Sequence, residues 1–139
     1  MKKEKLIDLS MLLMIPIVNI LYELLDNNKR GYYILVTGAD KRIPFIKWFV
    51  IPYVLWYPFI IICMIYFVQK SRKIYFRTLF SLVSGYLICY FIFFVFQTYV
   101  PRPAISGNGF FDYILKIVYS LDKPYNCFPS IHVVSCCIM

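Results

Sequence analysis

The sequence predicts an all-α, polytopic membrane helix bundle: three spanning helices and the start of a fourth, in one domain over residues 1–139. Three observations predict it. Apolar residues make up 61% of the chain and mean hydropathy is +0.69, above the usual range of soluble domains. That excess is gathered into long runs of the length a bilayer requires. The charges fall between the runs, with Lys and Arg outnumbering Asp and Glu by 15 to 7. In a soluble protein that balance suggests nucleic acid. Between apolar runs it fits anionic headgroups or a phosphorylated substrate, so the expected partners are membrane lipids and no nucleic acid.

A basic head, Met1–Lys5, precedes the first helix, Leu6–Leu25. Its charge order resembles a signal peptide, but no small-residue cleavage site follows. Pro16 should kink it, and Asn19, polar at depth, should face protein rather than lipid. Asp26–Lys47 is a connection in which Tyr32–Val36, too short to span, is expected at the headgroup level. Trp48–Val68 is the second helix, whose rise of about 31 Å crosses a hydrocarbon core. Pro52 and Pro58 should bend it. Trp48, Tyr53, Trp56 and Tyr57 crowd its first half and read as an aromatic belt with packing, in preference to a wall around a lipid tail.

Gln69–Arg77 is a short connection with four basic residues and no acid. Thr78–Val100 is the third helix, in which Ser81 and Gly85 have the spacing that lets helices approach closely. Pro101–Cys127 is a second large loop, with an amphipathic surface helix expected over Phe110–Leu121. The closing apolar run, Ile131–Met139, rises only about 13 Å, which suggests the front part of a longer membrane protein. Lys and Arg divide almost evenly between the two sides, so charge leaves the orientation open. The compact, acid-free connection favours its own placement in the cytoplasm. The Arg102 and His132 loop then lies on the outer face, in an integral protein of the cell membrane.

Two clusters carry chemistry. Arg102, in Pro101-Arg102-Pro103, offers a permanently charged fork for phosphate oxygens, and its flanking prolines hold it extended at a helix exit. Ser130, in Phe128-Pro129-Ser130-Ile131-His132, is placed to cap the following helix. The first-turn amides there favour an anion. His132, the only histidine, lies in that first turn and is suited to protonate a departing alkoxide. The five cysteines form no C-x-x-C pair and read as small buried apolar residues, with neither a disulfide framework nor a metal site.

At Pro101-Arg102-Pro103 and Phe128–Val133 the chain resembles the type-2 phosphatidic acid phosphatase superfamily, closest to its inositolphosphoryl-ceramide-synthase-like and bacterial membrane branch. Pro44-Phe45 and the segment Trp48–Tyr57 add less specific likeness. The resemblance implies a six-helix bundle with a metal-independent, cofactor-free site at the outer face, acting on a lipid phosphate or diphosphate. It implies that Arg102 clamps the phosphate, Ser130 binds it and His132 protonates the leaving group. Val95 stands where the family often has lysine, and Ile131 where it often has glycine. The family's third motif, with a second arginine, the nucleophilic histidine and its aspartate, has no counterpart here. The expectation is therefore an incomplete, inactive part of a phosphatase or phosphotransferase. Transfer of an inositolphosphoryl-type head group is the alternative within the class, and a small non-catalytic membrane protein the alternative outside it.

Overall fold

A computed structural model describes residues 7–26 and 31–139. Leu6, the expected start of the first helix, lies outside the described residues, as do the basic head, Lys29 and Arg30. The chain is mostly helical. Helix α1 is Met14–Leu25, preceded by a 3-10 turn at Met11–Leu13. Helix α2 is Val50–Lys70, entered by a 3-10 turn at Lys47–Phe49, and α3 is Arg72–Val95. Helix α4 is Phe110–Leu121 and α5 is Ile131–Ile138. Three helical stretches, Ile7–Leu25, Lys47–Lys70 and Arg72–Val95, are long and apolar enough to cross a membrane.

Helix α3 is the axis, packing against α1, α2 and α5. Tyr75, Leu79, Leu82, Tyr86, Cys89 and Phe93 recur at alternating spacings of four and three, so one stripe of α3 is buried. Ile60, Met64 and Val68 of α2 close on it. The other faces present Ile61, Ile62, Ile65, Ile88, Phe91 and Phe94 outward, as a surface meeting lipid requires. Gly85 lets α5 approach: a Cβ there would lie 2.9 Å from Val134 Cγ1. Ser81, its expected companion, is exposed and takes no part.

The proline and polar expectations sort by position. The 3-10 turn at Met11–Leu13 lies one turn before Pro16, where the ring would clash with a preceding carbonyl. Pro58 is interior to α2, but Pro52 lies in its first turn, where an amide has no intrahelical partner to lose. Asn19 does face protein, its Oδ1 accepting from the Tyr90 hydroxyl at 2.7 Å. Of the cysteines only Cys89 is buried. Cys127, in the loop before α5, is exposed, and so are Cys136 and Cys137, because the short α5 covers only one of its faces.

The third helix is displaced from its expected range of Thr78–Val100 at both ends. Its start moves to Arg72, because Ser71 alone breaks the chain: its extended backbone turns α2 into α3 and its Oγ accepts from the Ile74 amide at 3.5 Å. Lys and Arg are good helix formers and reach back to water from a helix end, so the basic stretch needs no loop. Nearby, Arg72 clamps the buried Asp8 through two nitrogens, both at 2.8 Å. The helix stops at Val95, before Gln97 and Thr98, whose buried polar side chains find partners outside α3.

Those partners build a small cap at the opposite end of the bundle. Strand β1, Tyr33–Ile34, pairs in parallel with strand β2, Thr98–Tyr99, in the register Tyr33 to Thr98. Tyr125 bridges the other edge of β2, with the Val100 amide on Pro124 O at 3.1 Å and the Asn126 amide on Thr98 O at 2.8 Å. Asn126 adopts a left-handed φ of 57°, a conformation that Asn tolerates well. Tyr32–Val36 thus joins a sheet through its backbone, and the Tyr32 ring packs tilted against Tyr99, with centroids 4.7 Å apart. Helix α4 lies against α2, with Leu115 buried and Lys47 paired to the buried Asp112 at 2.6 Å.

Candidate functional site

The C-terminal ends of α1 and α3 and the starts of α2 and α5 meet under this cap. They enclose a cavity of about 390 Å³. Arg102, Ser130 and His132 all line it, although Arg102 comes from a different segment than the other two. Tyr53, Trp56 and Tyr57 line it too, so three of the four aromatics read as a belt are a cavity wall, because the start of α2 turns that face toward α5. Trp48 lies elsewhere, stacked on Phe111 at 5.2 Å.

Arg102 does not stand at a helix exit. It follows β2, and the loop carries it back over α4, where its guanidinium covers the Tyr119 ring at 4.7 Å. Its Nη2 donates to Asp122 Oδ2 and to Lys123 O, each at 3.0 Å, and its Nη1 donates to the Asp122 carbonyl. Ser130 is the N-cap of α5, its Oγ accepting from the Val133 amide at 3.4 Å. That leaves the hydroxyl proton to donate elsewhere. His132 is held between rings, 4.6 Å from Tyr53 and 4.3 Å from Trp56. Its Nε2 is buried with no hydrogen-bond partner among the described residues. Burial pushes the imidazole below its ordinary pKa, and the Asp122 carboxylate opposes that shift.

The helix that carries Ser130 and His132 is anchored by a third residue. Ser135, fully buried, accepts from the Trp56 indole at 2.8 Å and donates to Ile131 O at 2.7 Å.

Comparison with protein-family models, curated proteins and solved structures finds no match for this chain. The site is therefore read from its own chemistry. Sequence reasoning missed its acid. Asp122 accepts from the Tyr22 hydroxyl at 2.8 Å and from the Tyr53 hydroxyl at 2.5 Å, besides Arg102. The available signal was an acidic residue ending an amphipathic helix between the two clusters. It missed Asp26 as well, almost fully buried, whose Oδ2 accepts from the Lys123 amide at 3.2 Å. Burial raises the Asp26 carboxyl above its ordinary pKa, against the lowering effect of that amide. The described residues hold no cluster of three or more His, Cys, Asp or Glu suited to a metal ion.

Proposed function

We propose that this chain forms the phosphate-binding part of a membrane-embedded lipid-phosphate phosphatase or phosphotransferase. The observation that carries the reading is that Arg102, Ser130 and His132 line one cavity where helix ends meet, at the start of α5. An arginine fork, a serine hydroxyl and the amides of a helix start are the donor set a phosphate monoester uses. His132 lies two residues beyond the cap, suited to give a proton to the departing alkoxide oxygen. The aromatic wall of Tyr53, Trp56 and Tyr57 suits the glycerol and acyl portion of a lipid.

On the resemblance to the phosphatidic acid phosphatase superfamily, the chain corresponds to the front part of a six-helix fold. The site then opens at the outer face of the cell membrane. The basic turn around Ser71, with Lys70, Arg72 and Lys73, lies at the other end of the bundle and supports a cytoplasmic placement of that end. With one histidine, the 139 residues do not provide both a histidine nucleophile and a separate histidine acid.

The test is calorimetric titration of the detergent-solubilised chain with dihexanoyl phosphatidic acid. Arg102→Lys should weaken binding by roughly tenfold or more, since an ammonium does not reproduce the two-pronged contact. His132→Gln should leave binding in place. Equal affinity in the wild type and Arg102→Lys refutes the clamp. Phosphate release by the chain alone that disappears in His132→Gln refutes the assignment of a half-site without its attacker.

A further inference from the structure

We infer that the Asp122 carboxylate occupies the seat of the phosphate, as a built-in competitor that must withdraw before a ligand binds. The inference rests on the phosphate-site reading above and concerns how that site is regulated.

The carboxylate sits where an anion would. It takes a charged donor from Arg102 and a hydroxyl donor from each of Tyr22 and Tyr53, at 3.0, 2.8 and 2.5 Å. Those three donors come from the second loop, α1 and α2, so they converge from different elements on one pair of oxygens. Arg102 gives the carboxylate one charged donor, Nη2 on Oδ2, of the kind a phosphate oxygen accepts equally well. Arg102 is therefore occupied, and its remaining bonds run to the carbonyls of Asp122 and Lys123.

Charge leads to the same conclusion. Among the described residues Arg102 is the only cation lining the cavity, and Asp122 offsets it while Glu23 adds a second carboxylate. A phosphate dianion entering beside them would meet net repulsion. With Asp122 withdrawn, Arg102 and the two tyrosine hydroxyls become a ready cradle. Asp122 is placed to move, since it lies just beyond the end of α4, with extended backbone and a side chain about a quarter exposed. Tyr22 and Tyr53 thereby become phosphate-binding residues of the open site, shared in the closed one with Asp122.

Apparent affinity falls by the fraction of molecules in the open state, so removing the competitor should raise it. The experiment is titration of the wild-type 139-residue chain and its Asp122→Asn variant, in detergent, with dihexanoyl phosphatidic acid. Asp122→Asn should bind roughly tenfold tighter or better, for a closed state occupied about nine-tenths of the time. Equal or weaker binding in a folded Asp122→Asn overturns the competitor and leaves the phosphate site standing. Absence of binding in both proteins overturns the phosphate site and the inference with it. Should Asp122→Asn not fold, the wild type decides through its infrared difference spectrum with 13C-labelled aspartate. A shifted aspartate carboxylate band on saturation with the lipid supports withdrawal, and an unchanged band overturns it.

Discussion

Replacing Gly85 by alanine sets two effects of opposite sign against each other. In a helix interior, Gly to Ala is favourable by about 1 kcal/mol. At this position the new methyl would meet Val134 Cγ1 at 2.9 Å and approach Ile138 Cδ1 at 3.4 Å. Carbon atoms rest about 3.5–4.0 Å apart, so α5 must retreat by roughly 0.6 Å or more. Overpacking of this kind costs about 1–3 kcal/mol. The opposed branched side chain, short and stiff at χ1, has little room to turn aside. Helix α5 is also tied to α2 by the Trp56 to Ser135 bond at 2.8 Å, which resists the shift. The net expectation is destabilisation of about 1 kcal/mol. Unfolding in mixed micelles, titrated with denaturing detergent and followed by circular dichroism, measures it. The decisive form is a cycle with Val134→Ala, which removes the opposing methyl. The two substitutions should couple favourably by about 1 kcal/mol, because the second makes room for the first. Stabilisation by Gly85→Ala alone, or additivity within about 0.3 kcal/mol, would refute the close approach of α3 and α5.

Ser135→Ala should destabilise the chain by about 1–3 kcal/mol, because it leaves the Trp56 indole N–H without its acceptor inside the bundle. The same unfolding titration reads it, and a loss below about 0.5 kcal/mol would contradict the burial of that bond. Asp26 predicts a pH dependence. Its folded pKa is raised above the unfolded value, so its contribution is fully present below the unfolded pKa near 4 and is lost as pH rises through the folded one. Asp26→Asn keeps an acceptor for the Lys123 amide and carries no charge. Its stability relative to wild type should therefore grow between about pH 4 and pH 7. A constant difference across that range would rule out the raised carboxyl.

The helices were legible in the sequence because long apolar runs admit few other interpretations. Their ends were less so. Hydropathy assigns Lys70, Arg72 and Lys73 to a loop, yet each is a good helix former and Ser71 supplies the only break required. At the other end the run through Val100 looks continuous, but Gln97 and Thr98 draw the chain out of α3 toward partners at Leu25 and Phe128. Two-residue strands such as Tyr33–Ile34 are too short to show a period. The site divides in the same way. Arg102, Ser130 and His132 stand in short local motifs that single them out along the chain, and the structure brings all three to one cavity. Asp122 does not, since its partners Tyr22 and Tyr53 lie 100 and 69 residues away and no local pattern links them.

What positions the cavity is the polar cap rather than the apolar packing. Helix contacts fix α1, α2, α3 and α5 relative to one another, but Arg102 belongs to none of them. It is placed by a chain of backbone pairings: Tyr33 on Gln97, Asn126 on Thr98 and Val100 on Pro124. Thr98 is the hinge of that chain, because its hydroxyl also accepts from the Phe128 amide at 3.0 Å. One buried residue thus sets the segment leading to Arg102 against the segment leading to Ser130. Lipid contributes little to this arrangement, since apolar side chains are equally well solvated by acyl chains and by each other. Satisfying buried backbone groups without water is the stronger constraint at membrane depth. The same constraint accounts for a short parallel pairing at the head of a helical bundle. It gives the amides just beyond α3 partners, in a region where the side chains of Gln97, Thr98 and Asn126 are almost wholly buried.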